Sequence, residues 1–147
     1  SISGLTVGKG ASSVSTNTAL GVSALAAVTT GAQNTAVGQQ AGLSITSGVY
    51  NTAIGRNSLA GTDTGGRNTA VGVFALESNT SGSYNTAVGM QVLYNNTTGA
   101  YNSGFGSYDG TSSLPALYSN TTGSISLKFE PSLLGIKFVI YIEISIF

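Results

Sequence analysis

The fold is decided by the 17 residues NTAVGQQAGLSITSGVY (34–50), which are followed at once by NTAIGRNSLAGTDTGGR (51–67). The opening pattern Asn-Thr-Ala-apolar-Gly recurs at the same 17-residue interval in six copies, with small deviations in the last. The first residues of these copies are Asn17, Asn34, Asn51, Asn68, Asn85 and Asn102. We number the places of each repeat from this Asn, so that Gly stands at the fifth place and again at the fifteenth. A fixed short period of this kind is typical of stacked repeat architectures.

Each repeat predicts short strands joined by turns. The segment Asn-Thr-Ala-Val-Gly is too short and too β-branched for a helix, and the two Gly places would interrupt one. Large apolar residues recur at the fourth and ninth places. They are Leu20, Val37, Ile54, Val71, Val88 and Phe105 at the fourth, and Leu25, Leu59, Leu76 and Leu93 at the ninth.

One coil with two such side chains cannot offset the entropy of ordering its own residues, whereas stacked coils share backbone hydrogen bonds and one continuous core. The sequence therefore predicts an all-β fold, a parallel β-solenoid of 17-residue coils, over about Leu5 to Gly123. We expect the fourth- and ninth-place columns inside it. We also expect the Asn column to form a ladder of side-chain amides.

Both ends of the chain depart from the period. We take residues 1–123 as the repeat domain, with about seven inserted residues forming a loop near 107–115, and residues 124–147 as a non-repeat apolar tail. The alternation from Ile136 to Ile146 predicts a half-buried strand in this tail. The tail would then be a cap, or it is an aberrant end produced by a frame slip. The run from Leu133 to Phe147 is too short for a transmembrane helix, and the Ser at position 1 suggests a fragment or a processed chain.

Composition excludes most chemistry. The chain has 5 basic and 5 acidic residues, a net charge of zero, and no Cys, His or Trp. Nucleic acid is therefore not an expected partner, and thiol nucleophiles, His-based triads and the usual zinc ligand sets are absent. The repeats offer only Asp63, Glu77 and Asp109 as carboxylates for cleaving a glycan, and isolated surface acids are explained by solubility alone. We expect no catalytic, cofactor or metal site, and we do not expect an enzyme.

The motif standing at 34–38, 51–55 and 85–89 resembles the head repeat of trimeric autotransporter adhesins, the YadA-like head, and similar repeats occur in phage tail-fibre-like proteins. The resemblance covers roughly residues 5–123. It implies a left-handed β-roll, three chains side by side, and attachment as the function. The period of 17 residues is longer than the commonest head repeat of that family.

Two features of the repeat suggest self-association into a homotrimer. The predicted core is thin, and further chains would supplement it. A column of small residues at the third place would let neighbouring chains approach closely. It consists of Ala19, Ala36, Ala53, Ala70 and Ala87.

The residue before each Asn, at the seventeenth place, is the candidate contact for a receptor or glycan. The column reads Gln33, Tyr50, Arg67, Tyr84 and Tyr101. Tyr and Arg can lie on sugar rings and bond their hydroxyls, and they are enriched where proteins bind partners. The alternative is that these side chains only pack on one another between coils.

The expected function is a structural and attachment segment of a surface adhesin or a virion tail fibre. Its expected partners are copies of itself and a glycan or protein receptor on a host surface, and its expected location is the cell surface or the virion. The alternatives are a glycan-binding recognition module and a glycan-degrading fibre. A membrane is not an expected partner within this chain.

Overall fold

The computed structural model describes residues 5–11, 14–106, 116–118, 120–123, 126–129 and 142–143. Over these residues the chain forms short strands and turns and no helix, so none of them belongs to a helix that is long and apolar enough to cross a membrane. The predicted loop near 107–115 and most of the 124–147 tail lie outside the described residues.

Within the described residues, nine strands form one sheet whose order follows the chain. They are β1 (Leu5–Gly8), β2 (Thr18–Val22), β3 (Thr35–Val37), β4 (Thr52–Ile54), β5 (Thr69–Val71), β6 (Thr86–Val88), β7 (Ser103–Phe105), β8 (Ser126–Phe129) and β9 (Ile142–Glu143). Strands β2 to β8 pair in parallel. At the two ends, β1 pairs with β2 and β9 pairs with β8 in the antiparallel direction.

The register between successive strands equals the sequence period. Ala36 of β3 lies opposite Ala53 of β4, and Ala53 lies opposite Ala70 of β5, each pair being one repeat apart. Between strands, further backbone bonds connect adjacent coils, as from Leu59 N–H to Ala75 C=O at 3.0 Å. The parallel β-solenoid of 17-residue coils predicted from the sequence is thereby confirmed.

The fifth-place Gly is required by a close approach between coils. Gly55 has φ of +125°, and a Cβ placed on it would lie 2.6 Å from the carbonyl oxygen of Gly72 in the next coil. A side chain would therefore clash with backbone and would also strain its own backbone. This explains why the fifth place is Gly in every copy of the repeat.

The interior is filled from one side by leucine and from the other by alanine. Leu25, Leu59, Leu76 and Leu93 at the ninth place are fully buried, as predicted. The second coil has Gly42 at this place, which leaves no side chain there. Ile45 of the same coil is fully buried, and its side chain lies beside Gly42. Sequence reasoning missed Ile45, because it sits at the twelfth place, where later coils carry polar residues.

The prediction that the fourth-place column is inside is wrong. Leu20, Ile54 and Val88 are 44%, 40% and 36% exposed. Successive side chains of a strand point to opposite faces, so only the third place of the segment Thr-Ala-Val can face inward. The third-place alanines and the ninth-place leucines are fully buried in one core cluster.

The expected role of the alanine column is wrong for the same reason. Ala36, Ala70 and Ala87 have no exposed surface, and Ala19 and Ala53 have 1%. These side chains line the core of their own chain and are not available to a neighbouring chain. Any contact between chains at this sheet must be made by the second and fourth places, which face outward.

Candidate functional site

The seventeenth-place column is positioned by a corner of the coil. Tyr50, Arg67, Tyr84 and Tyr101 have φ of +58 to +60°, in the left-handed region. Each backbone N–H donates to the carbonyl of the residue one place before its counterpart in the preceding coil, as from Arg67 to Val49 at 2.9 Å. The corner turns these side chains outward and aligns them from coil to coil.

The Asn that follows each corner stabilises the corner through hydrogen bonds of its buried side chain. Asn68 is fully buried. Its Nδ2 donates to the Gly82 carbonyl at 2.9 Å and to Asn51 Oδ1 at 3.1 Å. Its Oδ1 accepts the backbone N–H of Asn85 at 2.9 Å. The same backbone bond joins every consecutive pair of the column, and side-chain amides bond one another from Asn51 to Asn102, so the predicted amide ladder is confirmed there.

The structure brings the four candidate residues together in one exposed stack. The guanidinium carbon of Arg67 lies 5.1 Å from the ring centroid of Tyr50 and 5.3 Å from that of Tyr84. The rings of Tyr84 and Tyr101 are stacked with centroids 4.9 Å apart and planes 8° apart. The three tyrosines are 45–57% exposed. We call this set, Tyr50, Arg67, Tyr84 and Tyr101, the Tyr-Arg column.

Stacking within the column limits what it can offer to a ligand. Arg67 covers one face of the Tyr84 ring, and Tyr101 covers the other. A sugar ring therefore cannot lie flat on Tyr84 without separating two side chains that already contact it. Because the tyrosines are nevertheless about half exposed, the column offers its hydroxyls, its ring edges and the Arg67 guanidinium.

A second aromatic group, at the seventh and tenth places, was missed by sequence reasoning. Tyr94 and Tyr118 are stacked at 5.2 Å, and Phe74 meets Tyr94 edge-on at 6.3 Å. The guanidinium carbon of Arg56 lies 5.2 Å from the Phe74 centroid. The signal in the sequence is the tenth place, where Glu77 and Tyr94 follow one another one repeat apart.

Glu77 gives this second group a different electrostatic character. Its negative charge, together with a smaller effect of burial, raises the pKa of Tyr94 above the ordinary value of 10.0. Ionising Tyr94 would place a second negative charge beside the carboxylate, so the phenol form is favoured. The Tyr-Arg column, in contrast, has a cation at its centre.

The carboxylates considered for glycan cleavage have separate hydrogen-bond partners. Asp63 accepts a hydrogen bond from the Thr46 hydroxyl, whereas Glu77 accepts one from Ser78 Oγ at 3.3 Å. Asp109 lies outside the described residues. Across the part of the chain that the structure describes, no group of three or more acidic, His or Cys residues gathers in a metal-binding arrangement.

Comparison with known proteins identifies no family for this chain. No protein-family model matches it, and searches of curated proteins and of solved structures returned no significant match. The fold is therefore assigned from the parallel pairing of successive coils.

Proposed function

We propose that this chain is a segment of an attachment fibre, in which three copies associate side by side and display a rigid, repetitive surface to a host or receptor. The observation that carries the proposal is the outward face of the sheet. Its fourth place is an apolar column, and its second place is a column of Thr with a final Ser. No charged residue stands at either place from β2 to β7.

This face has the properties of an association surface. Leu20, Ile54 and Val88 hold 36–44% of their surface exposed on it, and the strict register aligns them in a straight row. Large contiguous apolar patches on a protein surface mark sites of interaction. Because the core within one chain consists mostly of alanine with few larger apolar side chains, burial of this face between chains would add apolar area that a lone coil lacks.

The choice of three copies rests on the resemblance of the Asn-Thr-Ala-Val-Gly repeat to trimeric adhesin heads and tail-fibre-like proteins. A fibre segment requires a rigid structure and does not require a catalytic or cofactor site. Its bonded columns of Asn, Gly and backbone amides run in register from coil to coil, which supports the role of a rigid spacer. The same role places the chain on a cell surface or on a virion, and the genes that neighbour its own would distinguish the two.

Light scattering after size-exclusion chromatography tests the association. We expect the wild-type protein at micromolar concentration to have the mass of a trimer. The double variant Ile54→Lys/Val88→Lys should reduce this mass to that of a monomer while the circular dichroism spectrum stays unchanged. A matched control is Thr64→Lys/Ser81→Lys, which places the same charges on exposed positions of another face. A wild-type monomer, or equal effects of the two variants, would contradict the proposal.

A further inference from the structure

We propose that the Tyr-Arg column binds the carboxylate groups of acidic polysaccharides, with Arg67 as the anchor. This inference rests on the proposed attachment role for its biological meaning, and it names the class of ligand. It differs from a sugar-stacking site, because the ligand would be recognised by its acid group and not by the faces of its rings.

The Arg67 side chain is held in position by two aromatic neighbours. It is exposed, and its guanidinium lies between the rings of Tyr50 in the preceding coil and Tyr84 in the following one, at 5.1 and 5.3 Å. Two aromatic neighbours hold the long side chain in place before any ligand arrives. A side chain that is ordered beforehand loses less entropy on binding.

Among the described residues, the positive charge of Arg67 has no anionic partner. Within the described residues, no carboxylate or carbonyl oxygen bonds the Arg67 guanidinium, whose contacts are with the two rings. The acid nearest in sequence, Asp63, is bonded to Thr46 of the preceding coil. Cation–π contact compensates part of the charge but uses none of the N–H donors.

The donors of the Tyr-Arg column match the acid group of a uronic acid and the hydroxyls beside it. A guanidinium presents paired N–H donors that fit the two oxygens of a carboxylate. The half-exposed tyrosines on both sides carry hydroxyls that can bond the sugar hydroxyls beside the acid group. A carboxylate in this position meets one cation flanked by neutral donors, which favours a uronic acid polymer of moderate charge density.

Repetition compensates for the weakness of one contact. A single arginine gives weak binding, but a polysaccharide repeats its carboxylate, and an assembly of several chains would repeat Arg67. Linking several weak contacts raises the overall affinity without any new contact.

The decisive test compares two forms of one polymer. Polygalacturonate and its methyl ester have the same sugar rings, but only the former carries free carboxylates. Immobilised on a biosensor surface, polygalacturonate should bind the wild-type protein in a salt-sensitive manner, and the methyl ester should bind it at least about tenfold more weakly, as expected when a charged hydrogen bond is lost.

Three variants assign the effect to Arg67. Arg67→Gln should lower the affinity for polygalacturonate about tenfold, and Arg67→Lys should restore only part of it, because lysine keeps the charge and loses the paired donors. Arg56→Gln is the matched control, since this arginine belongs to the same coil and lies over Phe74 outside the column. It should bind like the wild type.

The outcomes separate this inference from the proposed function. Equal binding of the ester and the acid, or wild-type affinity in Arg67→Gln, would overturn the inference. The oligomer mass is measured on the same samples. If the protein is a trimer but does not distinguish the acid from the ester, only the carboxylate inference is rejected. If it is a monomer whose binding to polygalacturonate depends on Arg67, the fibre assembly is rejected and the carboxylate site stands.

Discussion

Arg67 and Asn68 are consecutive residues on opposite sides of the coil wall. Asn68 is fully buried and bonds both neighbouring coils, whereas Arg67 is exposed and its side chain contacts the rings of its neighbours. The inward place is Asn in all six copies, and the outward place varies from Gln to Tyr to Arg. The inward columns therefore carry the fold, and the outward columns are free to carry other properties.

The largest effect is expected from breaking the inward column. Asn68→Ala leaves the buried Asn85 N–H without its acceptor and removes the hydrogen bonds that Asn68 Nδ2 donates to Gly82 and Asn51, although the Gly82 carbonyl keeps the bond from Asn79 Nδ2. The unsatisfied N–H costs about 1–3 kcal/mol and each of the two lost side-chain bonds about 0.5–1.5 kcal/mol, so we expect a loss of about 2–6 kcal/mol in the free energy of unfolding. Chemical denaturation monitored by circular dichroism measures it.

The matched control is Asn95→Ala. Asn95 is only partly buried, and within the described residues it is held by its backbone N–H, which donates to Tyr118 at 3.0 Å, while its side chain makes no hydrogen bond. This variant should change the stability by less than about 0.5 kcal/mol. Similar losses in the two variants would show that the amide ladder is not what stabilises the coil.

The second prediction compares neighbours within one strand. Ala70 points into the core and Val71 points out of it. Ala70→Leu overpacks a full interior and should cost about 1–3 kcal/mol. Val71→Leu should stay within about 0.5 kcal/mol, because its side chain points away from the core of its own chain. Thermal unfolding of the two variants checks the order, and an equal loss would contradict the assignment of faces.

The third prediction measures the stacking in the Tyr-Arg column. The rings of Tyr84 and Tyr101 are stacked but about half exposed. A double-mutant cycle with Tyr84→Ala and Tyr101→Ala should give a coupling of about 0.5–1.5 kcal/mol. A coupling near zero would mean that the rings do not stabilise each other and that the column is maintained by the backbone corners alone.

The smallest effect concerns the second aromatic group at high pH. The pKa of Tyr94 is raised in the folded state, mainly by Glu77. The folded protein therefore holds the phenol proton more tightly than the unfolded chain does. This contribution to stability is complete below pH 10.0 and is lost as the pH rises through the folded-state pKa.

The difference in absorbance between the wild type and Tyr94→Phe follows this titration. Introducing Glu77→Gln into both should move the midpoint of the Tyr94 transition down, toward the ordinary value, because the largest cause of the shift is removed. The stability of Glu77→Gln should also decline less steeply with pH in the alkaline range. An unchanged midpoint would assign the shift to burial.

The architecture follows from the amino-acid sequence alone. The period of 17 residues fixed the coil length and the parallel register, because equivalent residues must meet when identical units stack. The ladder of Asn at the first place was predicted from the pattern, and the ninth-place leucines were rightly placed in the core. The gathering of Tyr50, Arg67, Tyr84 and Tyr101 in one column also followed from the period alone.

The side of the coil wall that each residue faces could not be read from the period and is visible only in the folded coil. Val71 is more hydrophobic than Ala70, so composition favoured Val71 for the core, but in the strand Ala70 faces inward and is fully buried whereas Val71 faces outward. In the same way, only the geometry showed that Tyr84 has both ring faces covered. Periodicity tells which residues share a column, whereas the volume of the interior decides which column it can hold.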